Sequence, residues 1–109
     1  MNLPVKTTWE MRSLNTHLFP GARLLHSSPE EPELKSGDIL VITFSDMIRT
    51  SAEVIAAEAK IARIKVDGYQ TEHGTTIISK TWFMRRIDPV QGSACYSIMG
   101  RAYESSSLV

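Results

Sequence analysis

The sequence holds a single cysteine, Cys95, so no disulfide can form within the chain. That excludes a disulfide-stapled secreted scaffold and makes a reducing cytoplasm the expected compartment. It has no surplus of charge either: twelve basic residues face twelve acidic ones. Strong sequence-blind binding to nucleic acid needs excess Lys and Arg to displace counterions, so zero net charge disfavours that function. The same balance argues against attachment to an acidic membrane surface. No apolar run nears the roughly 20 residues that span a bilayer. The opening MNLPVKTTWE lacks the apolar stretch of a signal peptide.

Catalytic signatures are missing as well. There is no Gly-rich phosphate loop and no GxSxG elbow. His17, His26 and His73 have no metal-ligand spacing among themselves or with Cys95. Cys95 follows a glycine turn, but it lies in an apolar strand pattern where cysteine behaves as a small hydrophobe. Asp38 is explained as a turn residue and Glu53 as a cap or solvated face. We therefore assign no catalytic residue, no metal and no cofactor, and expect a module that is not an enzyme.

What is present is β-strand pattern. A chain of 109 residues is expected to be one domain, residues 1–109, able to bury a modest core. Residues 5–12 alternate, with Val5, Thr7, Trp9 and Met11 on one face and charged or hydroxyl side chains on the other. Phe19-Pro20-Gly21 is a turn, and residues 22–26 suit a short strand. Residues 27–37, with two prolines and three glutamates, form an exposed acidic loop. Residues 39–44, ILVITF, look like a central strand covered on both sides. The serine-rich residues 104–109 are expected to be a flexible tail.

Residues 50–67 support two readings. Thr50 and Glu53 have capping-box spacing, and Val54, Ala57, Ile61 and Ile64 would line one helical stripe. Against this, apolar and polar residues alternate along the segment, with one slip of phase between Ile61 and Ala62, as at a β-bulge. A strand is the reading preferred here; a short helix within 50–62, giving an α+β fold, is the alternative.

Residues 75–88, TTIISKTWFMRRID, are the longest run of strand character. Alternation places Ile77, Phe83 and Ile87 on one face, taken as core. Ile78, Trp82 and Met84 share the other with Lys80 and Arg86. Fourteen residues exceed an ordinary strand, so this one should bend or bulge before Pro89 ends it. A last strand covers residues 94–103, and Gly100 marks a bulge or a close approach there. Five or six strands with short turns predict a mainly β fold, a small antiparallel barrel or a two-layer sandwich.

The aromatic and methionine content suits a protein–protein surface. The expected function is binding or assembly, with a protein partner or a second copy of the chain. Trp82, Met84 and Arg86, with Lys80 beside them, are the candidate binding residues: an aromatic anchor with cations at its rim. The same cluster makes a single-strand nucleic-acid binder the first alternative. A small-ligand barrel or an enzyme of unknown type is the second.

Overall fold

The computed structural model describes residues 7–26, 33–90 and 93–102. The proposed tail at 104–109, the start of the first expected strand and residues 27–32 of the acidic loop lie outside them.

Among the described residues there are nine strands: β1 Thr8–Ser13, β2 Arg23–His26, β3 Ile39–Thr43, β4 Arg49–Ala57, β5 Ile61–Val66, β6 Tyr69–Gln70, β7 Thr76–Ile77, β8 Lys80–Val90 and β9 Ser93–Arg101. Seven close into a barrel in the order β1-β2-β9-β8-β5-β4-β3, and β6 and β7 form a separate two-stranded ribbon. The fold is thus mainly β, and of the two expected architectures the barrel is the one formed. All neighbours are antiparallel except β1 and β3, whose parallel pairing of Thr8–Arg12 with Ile39–Thr43 closes the barrel.

Inward and outward positions alternate, as a closed sheet requires. Leu40 and Ile42 on β3, Val54 on β4, Ile64 on β5, Met84 on β8 and Ile98 on β9 are fully enclosed. Residues 39–43 are buried on one face and half-buried on the other, so β3 is covered fully only from inside. The barrel bore takes the place of a second layer over that strand.

No helix forms in 50–62, because pairing on both sides outweighs the helix preference of an alanine-rich segment. Thr50, Ala52 and Val54 point inward, and Glu53 pairs across to Ile39 and Lys65 rather than capping a helix. The phase slip falls elsewhere than at Ile61. One bulge lies between Val54 and Ala56, and residues 58–60 turn the chain from β4 into β5.

The run 75–88 is also two strands. The chain breaks at Ile78 and Ser79, between β7 and β8. The β8–β9 register shifts twice, between Phe83 and Met84, where β9 carries the extra residue, and between Ile87 and Val90, where β8 does; β8 continues through Pro89, at the second shift, to Val90. The core assignment of this run is reversed: Trp82 and Met84 are buried, whereas Ile77, Phe83 and Ile87 are only half-buried.

The turns follow their chemistry. Gly21 and Gly37 take positive φ, with backbone bonds closing the turns at Phe19 and Lys35. Gly68 is required for a different reason: a Cβ there would lie 2.9 Å from the Ile77 carbonyl oxygen, where the β6–β7 ribbon crosses. At the other point of note, Met47 holds φ 73° in the five-residue loop between β3 and β4, a conformation better suited to glycine. The Met47 N–H donates to Phe44 and closes that loop.

Candidate functional site

The two ends of the barrel differ. At one end Leu18, Phe44, Tyr69 and Trp82 fill the bore, with Phe44 and Tyr69 rings 4.8 Å apart. Arg101 lies over the Trp82 ring, 5.7 Å from its centroid. The other end has two parts. On the β1–β3 side Trp9 Nε1 donates to the Asp38 carboxylate at 2.9 Å, and the Lys35 N–H donates to the same oxygen. Asp38 is thus a turn residue that also anchors an indole, and Trp9 packs edge-on against His26. On the β4–β5 side the inward residues are Ala57 and Ala62, and a cleft of about 690 Å³ opens over Arg86 and Tyr96.

The sequence-derived site residues fall in three places. Trp82, 6 % exposed, and Met84, fully buried, belong to the barrel core and present no anchor to a partner. Lys80 sits half-buried at the filled end, and Arg86 lines the open cleft. The structure therefore does not bring these four together on one surface.

A different cluster lies outside the barrel. Register places Ile61 opposite Arg85 and Arg63 opposite Phe83 across β5 and β8. On β9, Gly100 pairs with Phe83 and Ile98 with Met84, so Met99 is the extra residue of a bulge. Met99 is half-exposed and meets Ile61, Phe83, Lys60 and Arg85 around a hollow of about 390 Å³. Arg63 and Lys65 extend the cationic rim along β5. β5 and β9 carry no acidic residue, and β8 carries one, Asp88. Six of the twelve basic residues but one of the twelve acidic ones are carried by these three strands.

Sequence reasoning missed Phe83, Ile61 and Met99 because they lie on three strands and meet only through register. Their signal was present in part: Phe83 shares its alternation face with Thr81 and Arg85, polar neighbours of an outward position.

The remaining candidates separate. His17 and His73 share a shallow hollow with Asp46 and Glu72, while His26 packs on Trp9 at the other end. Among the described residues no three His, Cys, Asp or Glu side chains group as metal ligands. Burial pushes the Cys95 thiol up from its ordinary value, with Arg23 opposing, which disfavours the thiolate a nucleophile needs. Among the described residues no helix is long and apolar enough to cross a membrane. Comparison with protein-family models, curated proteins and solved structures finds no match.

Proposed function

We propose that this protein is a non-enzymatic binding module that acts by contact with another protein, through the outer face of β5, β8 and β9. The observation that carries the reading is the apolar cluster Ile61, Phe83 and Met99, standing outside a barrel whose own core is already filled. A second observation gives the partner its character. Lys60 and Arg85 flank the cluster, and Arg63 and Lys65 continue the basic row along β5, so the fitting surface is acidic around an apolar residue. Phe83 is the anchor, and the cations set orientation and encounter rate. A reducing cytoplasm suits a chain whose one cysteine is buried and unpaired.

A single-strand nucleic-acid binder is the second reading, supported by the same segregation of charge. Zero net charge loses some of its force as an objection because Lys60, Arg63, Lys65 and Arg85 stand near one another on the outside of β5 and β8. Protein is preferred because two of the three apolar groups are aliphatic or thioether, and only Phe83 offers a ring on which a base can stack.

Photo-crosslinking in cells decides between them. A benzophenone amino acid replaces Phe83 in one variant and Arg12, on the far side of the barrel, in another. Protein adducts at position 83 and none at 12 support the reading. Nuclease-sensitive adducts at 83 favour the alternative, an adduct of twice the chain mass identifies a second copy, and equal yields at both positions refute the interface.

A further inference from the structure

The outer patch and the segment that follows β9 complement one another. Ile61, Phe83 and Met99 meet around a hollow of about 390 Å³ whose lining is almost entirely apolar, with Lys60 and Arg85 at its edge. Phe83 is half-buried and Met99 is 50 % exposed. Gly100, the cross-strand partner of Phe83, adds no side chain to cover the ring, and a Cβ there would meet nothing within 4 Å. Bare backbone beside an aromatic ring leaves room for a stretch of chain to lie across the strand.

The chain leaves the barrel where it can return to this hollow. The Ala102 N–H donates to the Thr81 carbonyl at 2.9 Å, and Thr81 pairs in turn with Lys65, an exposed residue of β5. From that level the outer positions of β8 run Thr81, Phe83, Arg85. Four residues of strand place the hollow within about 13 Å of the exit. Residues 103–109 read YESSSLV. Leu108 lies six positions beyond Ala102, a reach of at most about 20 Å. Reversing direction uses part of that reach, and Ser105, Ser106 and Ser107 are residue types that turns accept. The order of side chains also matches the surface. Acidic Glu104 precedes apolar Leu108 and Val109, as cationic Lys65 precedes apolar Ile61 on the way from the exit to the hollow.

We propose that residues 103–109 fold back over β8 and β9 of the same chain, with Leu108 in the hollow between Ile61, Phe83 and Met99 and Glu104 beside Lys65. The proposal rests on the reading of this patch as a partner-binding face and adds a built-in competitor that a partner must displace. Tethering favours this occupant, because a short connection holds it at an effective concentration in the millimolar range. One leucine and one surface ion pair make a weak closure, so a partner offering more apolar area displaces it.

The test is NMR of the full chain. Nuclear Overhauser contacts from the Leu108 methyls to the Phe83 ring and the Met99 methyl should appear, and they should persist on roughly tenfold dilution. Leu108→Ser should shift the amides of Ile61, Phe83 and Met99 and leave that of Arg12, on the far side of the barrel, in place. Absence of the contacts, or unmoved amides in Leu108→Ser, overturns the proposal. Contacts that fade on dilution overturn it in favour of a second copy's segment. With the benzophenone at position 83 in cells, Leu108→Ser should raise the yield of protein adducts about threefold or more, and an unchanged yield overturns the competition. The two readings fail separately. Protein adducts without the Leu108 contacts sink the docked segment alone, and Leu108 contacts without protein adducts sink the partner alone.

Discussion

The filled and open ends of the barrel are made from the same strands, yet they differ in what the inward positions carry. The filled end combines Phe44, Tyr69 and Trp82, closed over by Arg101 and the β6–β7 ribbon. The open end offers Ala57 and Ala62 where the same strands, β4 and β5, elsewhere carry Val54, Ile64 and Val66. Alternation decides which residues face the bore; their volume decides whether the bore is sealed. Stability is therefore concentrated at one end, and an open cleft is left at the other.

Substitution at the filled end should have the largest effect. Trp82→Ala removes a buried indole and should cost about 3–5 kcal/mol, read as a lower urea midpoint at unchanged slope. A loss below about 1 kcal/mol would show that the filled end does not hold the barrel together.

A smaller effect at the same end is tied to pH. Burial raises the Tyr69 phenol above its ordinary value, a backbone hydrogen bond from Leu18 opposes the rise, and the Asp46 carboxylate adds to it. The unfolded phenol ionises near 10 while the folded one still holds its proton, so above that pH the unfolded state binds fewer protons. Stability should be level with respect to this group below about 10 and should fall as pH rises from there toward the raised folded value. Tyr69→Phe should remove that part of the alkaline decline in urea titrations. An unchanged decline would assign it to other groups.

The smallest effect is expected at the open end. Ala57→Leu enlarges a half-buried lip and should change stability by no more than about 0.5 kcal/mol. A large destabilisation would mean that the lip is packed as tightly as the filled end, and the contrast between them would fail.

Much of this fold could be read in the chain, because alternation over 8–12 and 94–101 and the β-branched run at 39–43 report strands directly. It misled where two elements abut without a turn signal. Glu58, Ala59 and Lys60 turn β4 into β5 with neither Gly nor Pro, so the change of phase looked like a single bulge. Ile78 and Ser79 likewise hide the gap before β8. With β-branched and aromatic groups on both faces of 75–88, hydrophobicity alone could not orient the strand. Trp82 and Phe83 were exchanged as a result: the larger ring went inside and the smaller stayed out. The outer patch was less legible still. Ile61, Phe83 and Met99 are far apart in sequence, and a net charge of zero conceals the gathering of cations on three strands that are neighbours only in space.

The closure of the barrel bears on how the chain folds in time. The β3–β4, β4–β5 and β8–β9 pairs join strands adjacent or nearly adjacent in the chain, so each can form as a hairpin. The β2–β9 seam instead joins Leu24 to Tyr96, 72 positions along the chain. The loss of chain entropy comes before any contact there compensates it. Closing that seam is the natural rate-limiting event, and until it occurs β2 and β9 present bare edges on which a nascent chain can pair with the wrong neighbour.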